Sequence, residues 1–155
     1  MDITIDVENY KLNIRAAAAI IHNGKILVHK DIKNDYLCLI GGRVKIGEDS
    51  QATVKRELKE ELGKDVEITG YIATIENFFE MDRKNYHEIM FIHKAEFTDE
   101  EDKKIEYTLK NIEGKEHLSY KWIELDKIDE YSILPKAIKE ILQEKNYPVH
   151  KINKD

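Results

Sequence analysis

The segment that most limits how this chain can fold runs from Gly41 to Gly63. It opens with a glycine pair, crosses a polar loop, and ends in a stretch where Val54, Leu58 and Leu62 recur at i, i+4 and i+8. That spacing predicts an amphipathic helix from Asp49 or Ser50 to Leu62, either residue serving as N-cap and Gly63 as the stop. The flanking segments carry the other period. Asn13 to Ile21 and Lys25 to His29 read as strands joined at His22-Asn23-Gly24, since Asn and Gly both tolerate positive φ. Ala16 to Ala19 favour helix by propensity, yet Ile20, Ile21 and the adjacent turn favour strand, and such small side chains admit a closely packed helix. Tyr36 to Ile40 predicts a third strand running into Gly41-Gly42.

Beyond the helix, Val66 to Phe79 and Tyr86 to Phe97 are rich in β-branched and aromatic residues, and Asp82-Arg83-Lys84-Asn85 between them predicts a second hairpin. Asp99 to Lys104 is expected to be a solvated, charge-dense loop. His117 to Leu125, with Trp122 at its centre, reads as a last strand, and Pro135 opens a terminal helix through about Gln143. From Asn146 the chain turns polar and is expected to fray, so residues 1–147 form the domain and 148–155 a tail. Mixed strands with two separated helices indicate a layered α/β or α+β domain. With 155 residues there is room for one such domain and no second.

Charge narrows the class of partner. Lys and Arg number 25 against 31 Asp and Glu, a net charge of −6, so the chain lacks the basic footprint of a duplex nucleic-acid binder. A local phosphate site is compatible with this, because a metal reverses the sign of a carboxylate pocket. The single cysteine, Cys38, rules out an intramolecular disulfide and a multi-cysteine zinc site, and reads as a buried strand thiol. The first residues offer no basic and apolar signal pattern, and the run Ala16 to Ile21 is far too short to span a bilayer. A cytoplasmic protein with no membrane association is therefore expected, and a homodimer stays open.

The chemistry concentrates on the predicted helix. At about 100° per residue its apolar stripe spans about 80°, and Glu61 then lies roughly 60° and Glu57 roughly 100° from the stripe's centre, on the same side. Those two are i and i+4 neighbours, and Glu60 lies further round. Carboxylates this close repel one another unless protons or cations intervene. An oxygen-only cluster suits a hard cation, so Mg²⁺ or Mn²⁺ is the natural partner. Arg56 can hold one carboxylate, Glu48 is placed to share that arginine, and the Gly41-Gly42 turn lets backbone approach a cation or a phosphate. Arg43, just after the turn, is the better phosphate-contact candidate than Arg83 or Lys84. A solvated acidic helix is the plain alternative, but it accounts for neither the glycine turn nor the spaced Glu48.

Gly42, Glu48, Arg56, Glu57, Leu58, Glu60, Glu61 and Gly63 together match the Nudix box, and the chain is identified as resembling the Nudix (MutT-like) hydrolases. The register is glycine, five residues, glutamate, seven residues, Arg-Glu, an apolar residue, any residue, Glu-Glu, any residue, glycine. Two positions depart from the usual pattern: Lys64 replaces an apolar residue, loosening packing, and Ile40 replaces a proline, changing loop stiffness. The resemblance implies an α/β/α sandwich around a mixed β-sheet and divalent-metal-dependent hydrolysis of a pyrophosphate linkage in a nucleoside diphosphate derivative. It implies Glu57 and Glu61 as principal metal ligands, Glu60 as a further ligand or water-orienting group, Arg56 and Glu48 as the brace of Glu57, and a Gly41 or Gly42 carbonyl in the coordination.

Many Nudix enzymes add a glutamate from a distant loop, for which Glu100, Glu101, Glu113 and Glu116 are the candidates, with His87 and Glu88 worth testing. Asn77-Phe78-Phe79 and Tyr86 could stack a base, though a self-packed hairpin is the simpler reading, and His93 reads as an alternating strand residue. No proline follows the box before Pro135, which disfavours the ADP-ribose subgroup; a nucleoside triphosphate or nucleotide-sugar is the default substrate. A nucleotide-sensing module on the same fold, without catalysis, is the alternative.

Overall fold

In the computed structural model, which describes residues 1–104 and 109–155, the core is one mixed sheet between two helices. Its elements are β1 (Thr4–Val7), β2 (Tyr10–His22), β3 (Lys25–Asp31), β4 (Leu37–Cys38), β5 (Ile40–Arg43), α1 (Ser50–Leu62), β6 (Val66–Met81), β7 (Lys84–Phe97), β8 (Leu118–Glu124), α2 (Ala137–Glu144) and β9 (Val149–Lys154). The strand path is β4-β3-β2-β7-β6-β9, with β1 and β5 both on β2 and β8 on β3. β2 with β7 and β6 with β9 run parallel; the other pairs are antiparallel.

The alanine run shows why this sandwich closes. Ala16 and Ala18 face α1 with Ile20, Val54, Leu58 and Leu62, while Ala17 and Ala19 face the α2 side with Ile75, Ile92, Ile138 and Ile141. Alternation along a strand sends neighbouring residues to opposite faces, and four small residues admit a packed layer on each. Both expected hairpins form. Asn23-Gly24 and Asp82-Arg83 each place two successive residues at positive φ, the geometry whose twist matches the flanking strands.

Two expectations are corrected, and one strand is new. The polar tail does not fray: β9 pairs with β6 from Ala73 opposite Val149 to Phe78 opposite Lys154. Its inward positions include Lys151 and the buried Asn153 while Ile152 is exposed, so a strand is hidden behind a reversed polarity pattern. The Asp99–Lys104 stretch contains a 3₁₀ turn at Glu100–Lys103, capped by Asp99, and its Asp102 is buried. Asp102 meets Lys64 at 2.7 Å, so the unusual residue after the box gains an ion-pair partner in place of apolar packing. β1, unanticipated, pairs with the first residues of β2. Among the described residues no helix is long and apolar enough to cross a membrane.

Candidate active site

α1 is anchored by Val54 and Leu58, both fully buried, and by Leu62. Asp49 caps it by accepting from the Ala52 amide at 2.8 Å, and Gly63, at φ 69°, donates its amide to the Lys59 carbonyl. With both ends fixed, Glu57 and Glu61 fall on the flank that meets β5 and β8 (Glu57 against Gly42, Glu61 against Tyr120).

The glycine pair is required by that contact. A Cβ on Gly42 would lie 2.2 Å from Glu57 Oε1, and one on Gly41 would lie 2.1 Å from the Ala16 carbonyl oxygen. The first glycine lets β5 sit on β2; the second makes room for a carboxylate.

Arg56 organises the rest. Its Nε and Nη2 donate to the two oxygens of Glu48 at 2.7 and 2.9 Å, a bidentate fork. Nη1 donates to Glu57 at 2.8 Å and to Glu60 at 3.2 Å, and Nη2 also reaches the Arg43 carbonyl at 3.0 Å. Glu48 also accepts from the Thr53 hydroxyl at 2.7 Å. The Arg56 hydrogen bond, more than any other contact, holds the Glu48 carboxyl down to about 2, and the same pairing raises Arg56.

Glu57 and Glu61 both shift the opposite way from Glu48. Burial raises Glu57 against the opposing pull of Arg56. Burial, then the charge of Glu57, raises Glu61 to about 7. Glu61 accepts from the Tyr120 hydroxyl at 3.2 Å, while its Oε2 is buried with no hydrogen-bond partner. A buried carboxylate oxygen with no donor and a second carboxylate beside it is short of positive charge. These donors suit a hard divalent cation. Glu60 stands apart, 43% exposed in its side chain and turned to Arg56, and among the described residues no three Asp, Glu, His or Cys side chains converge as an ion cage. Mg²⁺ needs no such cage, since it commonly takes one or two carboxylates and completes its shell with water and substrate phosphate.

Of the distal glutamates, Glu113 is the one whose charge reaches Glu61. Its loop is tied down by Asn111, which accepts from the Glu113 and Lys115 amides and donates to the Tyr120 hydroxyl at 2.9 Å, and by the Ile112 amide on the Glu61 carbonyl. Glu100 and Glu101 lie on the 3₁₀ turn, paired with Lys103 and Lys104, and Glu116 is exposed. Tyr120 and Asn111 escaped the sequence reading; the only signal was a tyrosine within a strand pattern, whose hydroxyl needs a partner when buried.

The remaining candidates divide. Arg43 lies opposite Arg15 across the β5–β2 pair. Phe78 packs on His87 and Phe79 stacks on Tyr86 at 4.7 Å, so these rings occupy one another within the hairpin. Lys84 pairs with Asp6 at 2.6 Å, and Arg83 is an exposed turn residue. His93 is more than an alternating residue: it is buried and shares a 2.8 Å hydrogen bond with Ser50, the first residue of α1. Cys38 is half-buried and its thiol is pushed up to about 11 by burial. Glu88 is buried under the sheet face that α2 covers.

Comparison with known proteins agrees with this architecture. No curated protein matches the chain. Among solved structures, a UDP-X diphosphatase superposes with a TM-score of 0.62 at 18% identity, covering 91% of this chain and 66% of that one. An ADP-ribose pyrophosphatase from Streptococcus suis gives 0.60 at 16% identity, covering 90% and 98%. A MutT Nudix hydrolase from Burkholderia pseudomallei gives 0.64 at 22% identity, covering 87% and 98%. The family model of the NUDIX domain matches residues 12–144, and by that match the chain belongs to the Nudix family.

Proposed function

We propose that this protein hydrolyses the pyrophosphate linkage of a nucleoside diphosphate derivative, of nucleoside triphosphate or nucleotide-sugar type, with Mg²⁺ or Mn²⁺ as cofactor. The observation that carries the reading is the buried, donor-less Oε2 of Glu61 beside Glu57, next to an arginine whose N–H groups are all engaged. Similar folds whose names specify UDP-X and ADP-ribose substrates support a diphosphate joined to a second moiety.

In this reading Glu57 and Glu61 hold the cation, and a Gly41 or Gly42 carbonyl joins them. The bound cation supplies charge neutralisation of the pyrophosphate oxygens and a water acidic enough to attack. Arg56, clamped by Glu48, fixes the rotamer of Glu57, and Tyr120 fixes that of Glu61. Glu60 orients water at the rim, Glu113 acts as the distal glutamate, and Arg43 contacts phosphate. In-line displacement then asks positioning and electrostatics of the protein more than covalent chemistry.

A panel of nucleoside triphosphates, nucleotide sugars and dinucleotides with Mg²⁺, with products resolved by chromatography, tests this. Turnover of at least one substrate is expected, with Glu57→Gln and Glu61→Gln lowering it by orders of magnitude at unchanged fold. Binding without turnover across the panel would establish the sensor alternative; the retention of every box glutamate favours the enzyme.

A further inference from the structure

The sheet face turned away from α1 carries a line of polar side chains that hydrolysis at the box does not use. Thr4, Asn13, Glu88, Asn77 and Asn153 are successive cross-strand neighbours on β1, β2, β7, β6 and β9. Asn13, Glu88, Asn77 and Asn153 are each at least 94% buried. The Thr4 hydroxyl donates to Asn13 at 2.6 Å, Asn153 donates to Asn77 at 2.9 Å, and Asn77 reaches Glu88 at 3.5 Å. Asn153 also accepts the Ala137 amide at 3.0 Å, which ties the line to the start of α2.

A carboxylate buried in such a line requires a cation. Arg15, two residues along β2, faces it, with Nε 4.0 Å from Glu88 Oε2. At that distance the pair is electrostatic and not hydrogen-bonded, and Arg15 Nε is buried with no hydrogen-bond partner. About a third of the Arg15 side chain is nevertheless exposed, so its outer donors reach solvent. Arg43 stands directly opposite on β5, and cross-strand partners share a face. Two arginines side by side repel unless an anion lies between them. Arg15 and Arg43 alternate with Ala16 and Gly42, so strand backbone separates them from Glu57 on the α1 face, and the charge of Arg15 is sensed at Glu57 as well as at His29 and Cys38.

We propose that Arg15 and Arg43 form a two-arginine clamp for a phosphoryl group of the substrate, across the Gly41-Gly42 strand from Glu57, and that Glu88 is the buried positioning residue of Arg15. The clamp rests on the hydrolase reading and adds a substrate preference to it. Planar guanidinium pairs match the tetrahedral, multiply charged end of a polyphosphate, so chains of three phosphates suit the site better than a diphosphate capped by a neutral sugar.

The test uses inorganic triphosphate as probe, with EDTA present, and isothermal calorimetry on the full chain. Wild type is expected to bind. Arg15→Ala should weaken binding about tenfold or more, and Arg15→Lys less, because it keeps charge but loses the fork. Glu88→Gln should weaken binding several-fold, and adding it to Arg15→Ala should have no further effect, the non-additivity expected of residues acting as a unit. Glu57→Gln should bind triphosphate in EDTA at least as well as wild type, since it removes a neighbouring negative charge, so clamp and catalytic centre fail separately. No binding by wild type, or Arg15→Lys and Arg15→Ala both binding like wild type, overturns the clamp even if nucleotides are hydrolysed. Glu88→Gln lowering Tm with affinity unchanged overturns its positioning role. Arg15-dependent binding without any nucleotide turnover sinks the hydrolase reading and leaves the clamp standing.

Discussion

Adding one methyl group to Gly42 should slow the chemistry about a hundredfold and spare the fold. In Gly42→Ala the new Cβ would meet Glu57 Oε1 at 2.2 Å, whereas ordinary contact starts at 3.4 Å. The obstructing atoms are the far end of a flexible side chain, so the carboxylate withdraws by about 1 Å, a displacement that costs about a hundredfold in rate when it falls on a reacting group. Withdrawal also strains the 2.8 Å hydrogen bond from Arg56, a loss of about 1 kcal/mol in stability. Gly41→Ala provides the control. There the new Cβ meets the Ala16 carbonyl oxygen at 2.1 Å and the Ala17 Cα at 2.7 Å, which are backbone atoms of a central strand and cannot swing aside. Forcing β5 off β2 should cost at least the roughly 1–3 kcal/mol of an overpacked core and lower Tm by several degrees. The assay is paired: steady-state rates with Mg²⁺ on whichever nucleotide of the panel is turned over, and thermal melting of both variants. Gly42→Ala with wild-type kcat, or with a Tm loss as large as that of Gly41→Ala, would refute the assignment of Gly42 as the seat of Glu57.

Tyr120→Phe removes the donor to Glu61 while keeping the ring; we expect Mg²⁺ affinity, from activity titrations, to fall about 10-fold or more, as for lost partners of metal ligands. Glu48→Gln tests the brace through pH. The folded Glu48 carboxyl lies at about 2, below its ordinary 4.5, so its stabilisation is complete above pH 4.5 and is lost as pH falls through 2. The variant should be less stable at pH 7 by about 1–2 kcal/mol, allowing for the solvent the pair reaches, and the difference should shrink toward pH 2 in urea melts. Asn153→Ala strands the Ala137 amide and one oxygen of Asn77, and should cost about 1–3 kcal/mol by denaturant unfolding.

What the sequence reveals is what is local. The helix from Ser50 to Leu62 was legible because cap, stripe and stop lie within one short stretch, and the hairpins because their turns carry their own φ requirements. Glu48, Arg56 and Glu57 sit within ten residues of each other and meet as the spacing implies. β9 was hidden because the residues it turns inward include a lysine and an asparagine, so hydropathy has the wrong sign. Tyr120 reaches Glu61 from 59 residues away, and Asn153 reaches Asn77 from 76. Contacts of that range are made by topology, and no periodicity announces them. The candidate distal glutamates show the same limit: four are equivalent on paper, and Glu113, in the loop fastened by Asn111, is the one whose charge reaches Glu61.

Because the N–H groups of Arg56 end on Glu48, Glu57, Glu60 and the carbonyl of Arg43, this one side chain rivets helix, preceding loop and strand β5 at a single point. A lysine has one nitrogen to offer and could keep at most part of those attachments. Engineering that relaxes the substrate pocket should therefore leave this rivet alone, since no other side chain replaces it in full and its loss would unfasten three segments together.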